Sequence, residues 1–446
     1  MQWNIPKNGI SSLFAGVQWL FFLFTNTVLV PLSVGHALGM TAPDITASMQ
    51  RSFILTGLLC IIQALWGHRF ALMDGPAGIW WGLVLGVIAS APAMEMDTAA
   101  VAANLAGGFL LAGVVSIVLA LLGFLRLLQR IFKPIVMGIY LLLLTFQLAI
   151  TFFKGMIGYS DSGQWDLQLA GLSLFVIAVV SFIHLKGKGK LGQFSLLIGI
   201  IVGWIAYAIL FGGSGGSGTA APGTMNIWHW MPWGQPSFQP GILLVGLIAG
   251  LVNMTNALTS VAAAEKLYQK SAEEKQFLRS LLFTNLFSII GACFGLIPFG
   301  TFASSVGFLE NTKVLRRSAL VTGAALLILV GIVPALSGWL SLLPMSVGSA
   351  VLFVAYLQMF GTALNSLNHL TINAKTIYRV ALPALTGIGI MNIPAAAFAE
   401  FPPLLTPLAS NGLIVGVILA TLMENLIQWE KYETLPLSTP VPEPNK

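Results

Sequence analysis

Twelve stretches of this chain are apolar over roughly the 20 residues a helix needs to cross a bilayer, and that pattern constrains the fold more than any other feature. They are 12–34, 51–67, 99–123, 134–153, 168–185, 192–212, 241–264, 278–298, 317–338, 345–364, 379–397 and 403–427. Only 8% of the 446 residues are charged, against about 25% in a soluble domain, so most of the folded surface has to face lipid. The net charge of +6 is scattered between apolar runs. That excludes nucleic acid as a partner and makes membrane topology its cause.

Two further stretches, 71–92 and 300–312, are apolar but interrupted. Gly75-Pro76-Ala77-Gly78 breaks the first, and Gly300-Thr301-Phe302-Ala303-Ser304-Ser305 breaks the second. Counted as broken spans they raise the total to fourteen. With the N-terminus inside, 19 of the 21 Lys and Arg then fall on the cytoplasmic side, leaving only Arg51 and Lys154 opposite. Dropping either broken span inverts every later loop and destroys this agreement with the positive-inside rule. The expectation is an all-α multi-pass protein of the inner membrane, with no cleavable leader and both termini cytoplasmic.

Residues 213–239 contain no Lys, Arg, Asp or Glu and begin with a Gly/Ser-rich run, as befits an extracytoplasmic linker. Trp228, Trp230 and Trp233 within it are expected at the membrane interface. Seven spans precede the linker and seven follow, so the second set enters from the opposite side. The chain therefore reads as a first inverted repeat (1–212), the linker, a second inverted repeat (240–429) and a disordered cytoplasmic tail (430–446). Each interruption falls in the third span of its half, the third and tenth overall. Paired broken helices are where transporters of this plan hold substrate.

The polar residues inside apolar runs are few. Backbone N–H groups freed at Gly78-Ile79 and Ala303-Ser304 are expected to point into a cavity. Gln18, Asn253 and Asn256 form a polar set that either lines it or bonds helix to helix. Asp74, just before the first break, either titrates or pairs locally with Arg69 or His68. Cys60 and Cys293 lie in apolar runs and fit no disulfide or metal spacing. The histidines, at 36, 68, 184, 229 and 369, are dispersed, so neither an enzyme active site nor a metal or cofactor is expected.

Several motifs, taken in order, resemble the nucleobase–ascorbate transporters, also called the xanthine/uracil permease family. The run from Val17-Gln18-Trp19 to Thr27-Val28-Leu29-Val30-Pro31 is similar to the family's first helix. Ser304-Ser305-Val306-Gly307-Phe308-Leu309-Glu310-Asn311-Thr312-Lys313 matches its signature segment at the Gly, Thr and Lys positions. Pro298-Phe299-Gly300-Thr301-Phe302 and the Ala335-Leu336 and Leu343-Pro344 pairs flank it correctly. The resemblance implies fourteen helices in two inverted repeats, with spans 1–4 and 8–11 as a substrate-carrying core. Spans 5–7 and 12–14 would form a gate, and the third and tenth spans would each supply a short strand and a half-helix. It also implies a dimer formed through gate helices.

This chain departs from the family where acids are usual. Asn256 stands at the position of a family glutamate, Ser304 and Ser305 replace the first two signature residues, and Trp19 replaces a histidine. A site of amides, hydroxyls and helix N-termini suits a flat, weakly acidic solute. The expected substrate is a nucleobase, foremost an oxidised purine such as xanthine or urate or a related breakdown product. Protons or sodium are the candidate co-substrates, with Asp74 the proton candidate. An uncoupled facilitator or an anion transporter on the same fold is the alternative.

Overall fold

The computed structural model describes residues 9–159, 164–187, 192–212, 227–336, 343–368, 370–402 and 404–433. In chain order the elements are α1 (Gly9–Ala37), α2 (Ala42–Leu65), β1 (Asp74–Pro76), α3 (Gly78–Ala89), α4 (Thr98–Leu121), α5 (Leu125–Ile131) and α6 (Pro134–Met156). Then come α7 (Leu167–Lys186), α8 (Ser195–Phe211), α9 (Pro240–Tyr268), α10 (Glu274–Cys293), β2 (Phe299–Thr301), α11 (Ser304–Thr312) and α12 (Arg317–Ile332). The chain continues through α13 (Met345–Leu367), α14 (Tyr378–Met391), α15 (Thr406–Ala409), α16 (Gly412–Leu426) and α17 (Glu430–Glu433). Among the described residues, 8 helices are long and apolar enough to cross a membrane, and shorter apolar helices stand at 78–89, 198–211, 317–332, 378–391 and 412–426.

Hydropathy misplaces the start of α2. The helix begins at Ala42, capped by Thr41, whose hydroxyl oxygen accepts from the Asp44 N–H. Its first turns carry Gln50 and Arg51, which look like loop residues in sequence. Both are buried because they find carbonyls elsewhere: Gln50 Nε2 donates to Gly331 O at 3.1 Å and Arg51 to Ile227 O at 2.9 Å. Such partners make a polar side chain tolerable inside a bundle.

The helices sort into two packing groups. One contains α1, α2, α4, α9, α10 and α12; the other contains α6, α7, α8, α13, α14 and α16. Glycines allow the close approaches that lipid-embedded helices use. A Cβ at Gly323 of α12 would meet the Trp19 Cβ of α1 at 2.5 Å, and one at Gly57 would meet Ile328 at 2.5 Å. In the second group the Gly387 face of α14 lies directly against the Gly412 carbonyl of α16.

β1 and β2 are the only strands among the described residues, and they pair antiparallel as Asp74↔Thr301, Gly75↔Gly300 and Pro76↔Phe299. Each follows two long helices and leads into a short one, so the order helix, helix, strand, half-helix occurs twice. At 1.5 Å per residue, α3 spans roughly 18 Å and α11 roughly 13 Å, less than the hydrocarbon thickness.

Two placements differ from the sequence expectation. Trp233 is buried (7% exposed) against Phe109, whereas Trp228 and Trp230 are exposed and edge onto Phe294. Packing against α4 thus claims one of the three tryptophans expected at the interface. The tail expected to be disordered from 430 opens with the helical turn α17; residues 434–446 lie outside the described residues.

That turn is tied down by charge. Arg379 at the start of α14 donates bidentately to Glu424 of α16 (2.7 Å twice) and to Glu433 (2.8 Å), with its guanidinium over the Trp429 ring. Glu424 is 4% exposed and Lys133 Nζ stands 3.7 Å away. Arg379→Ala is expected to cost about 3 kcal/mol of stability, the low end for breaking a buried pair, because Lys133 still faces the carboxylate. Thermal unfolding in detergent reads this, and 0.5 M salt should not reproduce it, since a buried pair is poorly screened.

Candidate functional site

The ribbon places two helix N-termini at its opposite ends. α3 begins just after Pro76 and α11 just after Thr301, and the pairing sets Pro76 against Phe299 and Thr301 against Asp74. Three-residue strands put those ends roughly 7–10 Å apart. The ribbon extends by one bond at each end, from Ala77 N–H to Pro298 O (3.0 Å) and from Phe302 N–H to Met73 O (2.9 Å). Beyond it, neither helix has a side-chain cap. The N–H groups of Gly78, Ile79, Ala303 and Ser304 find no acceptor among the described residues. Free N–H groups at a helix N-terminus, where the macrodipole is positive, make a donor site suited to carbonyl or anionic oxygen.

α9 fastens the ribbon from one side. Asn253 Nδ2 donates to Phe299 O at 2.8 Å and Asn256 Nδ2 to Thr301 O at 3.0 Å. Both amides thereby spend donors on strand carbonyls and keep acceptors. Asn253 Oδ1 is buried without a donor, and Asn256 Oδ1 has none among the described residues. Gly300 makes this approach feasible, since a Cβ there would overlap Asn253 Oδ1 and come within 2.8 Å of the Ala77 Cβ.

The other expected residues divide clearly. The Ser304 hydroxyl is buried and unpartnered, at the mouth of α11. Ser305 is fully buried, and its hydroxyl oxygen accepts the Met73 N–H at 3.0 Å, so it holds the strand entry. Ile79 is fully buried, so what it brings to the site is an enclosed N–H without an acceptor among the described residues. Gln18 is 8% exposed within α1, and its neighbour Trp19 packs edge-on to Phe308 of α11, centroids 4.7 Å apart.

Asp74 is completely enclosed. Its Oδ2 meets His68 Nε2 at 3.0 Å. Its Oδ1 accepts from Thr301 Oγ1 (2.8 Å), Thr284 Oγ1 (3.2 Å) and Gln63 Nε2 (3.4 Å). His68 Nδ1 accepts the Phe70 N–H at 3.1 Å. The ring proton therefore sits on Nε2 and points at the carboxylate, with the imidazole neutral. Cys60 completes the clamp, exchanging bonds with the Asp74 backbone at 3.2 and 3.3 Å. Of the two local partners the sequence offered, His68 takes the carboxylate and Arg69 is exposed. Asp74 thus ties β1 to α2, α10 and β2.

Sequence reading did not single out Gln63, Thr284 or Tyr356. The first two are neutral polar residues inside apolar runs, a signal that was present but weak. Tyr356 of α13 comes from the other packing group, and its hydroxyl lies 4.0 Å from where a Gly78 Cβ would stand. No separation in sequence could indicate that. A cavity of about 10 Å³, room for one water, adjoins Pro76 at the edge of the ribbon.

The site therefore offers backbone N–H donors, three neutral acceptors and a tyrosine hydroxyl, with its one carboxylate enclosed behind the ribbon. That set can hold a flat polar heterocycle by its edge.

Known proteins place the chain in the same class. The Permease family (Xan_ur_permease) matches residues 10–396. The uric acid permease PucJ of Bacillus subtilis (strain 168) is 28% identical over 431 residues, covering 93% of this chain and 92% of that protein. The nucleobase transporter PlUacP of Paenibacillus larvae subsp. larvae is 27% identical, covering 92% and 93%. A xanthine permease of B. subtilis is 23% identical, covering 94% of each. Among solved structures, the transmembrane domain of a cyanobacterium bicarbonate transporter, BicA, matches with a TM-score of 0.59 at 16% identity, covering 91% of this chain and 96% of that one. SLC26A9 matches at 0.59 and 14%, covering 95% and 66%. These two likenesses speak to the fold alone. Apolar helices around a ribbon flanked by two half-helices, and a family match over most of the chain, lead to one conclusion: this protein is a membrane transporter belonging to the xanthine/uracil permease family.

Proposed function

We propose that the protein carries a nucleobase, foremost an oxidised purine such as xanthine or urate, across the inner membrane by alternating access. The observation that carries this reading is the pair of uncapped helix N-termini at the ends of a ribbon held by Asn253 and Asn256, whose amide oxygens have no donor among the described residues. The N–H groups of Gly78, Ile79, Ala303 and Ser304 take the base's carbonyls, and the amide oxygens take its N–H groups. Ser305 and Gln18 support the site from behind, and Tyr356 closes it from the other bundle.

In this reading the group built on α1, α2, α4 and α9–α12 is the moving core. The group built on α6–α8, α13, α14 and α16 is the gate. Counting α3 and α11 as half-spans gives fourteen spans in two inverted repeats, 1–212 and 240–429, with both termini cytoplasmic and 213–239 outside. The recurring helix, helix, strand, half-helix order and the antiparallel ribbon support that symmetry. Two copies associate through gate helices.

Transport is proton-coupled in this reading, with Asp74 as the titrating group. The enclosure of Asp74 by four donors favours a second reading, an uncoupled carrier, in which the carboxylate only braces the ribbon. Uptake of radiolabelled xanthine, urate, uracil and allantoin by cells expressing the protein, with and without a protonophore, tests both. Purine uptake that collapses with the protonophore supports coupling, and uptake that ignores it supports the uncoupled carrier. Absence of uptake for all four overturns the nucleobase reading.

A further inference from the structure

α3 carries a glycine at every fourth position from its N-terminus, Gly78, Gly82 and Gly86, and its C-cap Ser90 continues the row. On an α-helix these share one face, and that face lies against the other bundle. A Cβ at Gly82 would meet Gln147 Oε1 of α6 at 3.0 Å. One at Gly86 would meet Asn411 Nδ2, at the cap of α16, at 3.0 Å and Gln147 Nε2 at 3.5 Å. Ser90 Oγ reaches Ser410 Oγ at 2.9 Å.

The two amides on this face are each half used. Gln147 Nε2 donates to Gly82 O at 2.7 Å, which leaves Oε1 buried without a donor. Asn411 Oδ1 caps α16 by accepting the Ile414 N–H at 3.1 Å, which leaves Nδ2 buried without an acceptor, in a residue only 3% exposed. One spare acceptor and one spare donor thus sit beside a strip of bare backbone. Were they only a latch between the bundles, the natural arrangement would be to bond each other, and they do not. Buried polar groups left unpaired cost stability, so a water or a ligand has to complete this pair in at least one state of the protein.

We propose that Gln147 and Asn411 form a second station for the substrate, which takes the C=O/N–H edge of a planar lactam when α3 parts from α6 and α16. The proposal rests on the reading of the protein as a base permease. Gly86 is eight residues along α3 from Gly78, about 12 Å from the half-helix site, so the station lies on the route to it and not within it. The glycine strip gives a flat ring room to pass, Asn411 Nδ2 donates to its carbonyl, and Gln147 Oε1 accepts from its N–H.

Asn411→Asp tests this, because aspartate retains the helix cap but replaces the spare donor with an acceptor. Asn411→Ser retains both the cap and an O–H donor. Uptake of radiolabelled xanthine and adenine is measured for wild type and both variants, normalised to the amount of protein in the membrane. The station predicts at least a tenfold loss of xanthine uptake in Asn411→Asp. Adenine, whose amino group can donate to the new carboxylate, should hold or rise, and Asn411→Ser should stay within about twofold of wild type. If adenine stays at background throughout, the xanthine KM decides, since a station raises it at least tenfold. Equal losses for both bases, unchanged xanthine uptake, or a lower Vmax at constant KM overturn the station and leave the permease reading standing. A wild type that moves neither base, nor urate, uracil or allantoin, overturns the permease reading and the station with it.

Discussion

Asp74→Ala is expected to lower stability by about 3 kcal/mol or more and to abolish transport, and Asp74→Asn to separate the two roles open to this carboxylate. Alanine strands the donors of His68, Thr284 and Thr301 in a fully enclosed space, while Gln63 keeps Ser280 O and Thr284 Oγ1 as acceptors. Each stranded donor costs about 1–3 kcal/mol unless it can reorient, as the threonine hydroxyls can. The ribbon should loosen, and with it the mutual placement of α3 and α11.

Asparagine is the milder change. Its Oδ1 can still receive Thr301, Thr284 and Gln63, but its Nδ2 turns a donor toward His68 Nε2. The imidazole can answer only by moving its proton to Nδ1, which takes the acceptor away from the Phe70 N–H. About 1–2 kcal/mol is the expected cost, a single hydrogen bond's worth. Thermal unfolding in detergent measures the stability of both variants. Xanthine uptake across a pH series, normalised to protein in the membrane, measures the function. If Asp74→Asn transports with an unchanged pH dependence, the carboxylate is a brace and not a proton carrier. If uptake loses its pH dependence while the protein remains folded, coupling runs through Asp74.

The second large effect is expected at Asn256. Asn256→Ala removes both the bond that holds Thr301 O and the acceptor offered to the substrate, so a loss of at least tenfold in uptake efficiency is expected. Asn256→Asp is more informative, because it installs a negative charge at the ribbon, beside the start of α11. A charge about 5 Å from an anionic ring, at an effective dielectric near 20, is worth roughly 3 kcal/mol. Uptake of urate, an anion at neutral pH, should therefore fall by about a hundredfold, and that of neutral uracil by much less. The two helix N-termini soften the penalty for the carboxylate itself, so the variant should remain folded. Equal losses for urate and uracil would remove Asn256 from the recognition surface and leave it a strut for β2.

Asn256 also shows why part of the candidate site is legible in the sequence. An amide in an otherwise apolar helix stands out against its neighbours, and so do two stretches where glycine and proline interrupt a span. Asn253, Gly78, Ala303 and Ser304 were reachable in the same way, and the structure gathers them at one ribbon. Gln63 and Thr284 are also polar inside apolar runs, but they are neutral and short of hydrophobic contrast. Their role appears only once Asp74, 210 residues from Thr284, lies between them. Ser305 has the same composition signal as Ser304, yet one hydroxyl is free and the other is spent on Met73. A rotation of about 100° between adjacent helix positions decides which, and sequence carries no record of it.

Residue order alone determined that this chain lives in lipid, roughly where its helices run and where two of them break. Those properties follow from local hydropathy and from the few residues that interrupt a helix, and both act over one span at a time. The tertiary structure decided which broken ends meet, which polar groups are consumed in bracing them and which stay free for a ligand. The start of α2, the burial of Trp233, the closure of Asp74 and the approach of Tyr356 to Gly78 all depend on atoms brought together from distant segments. Pairing energies at such contacts outweigh local preference because, in a bundle without water, a buried polar group has only distant partners to satisfy it.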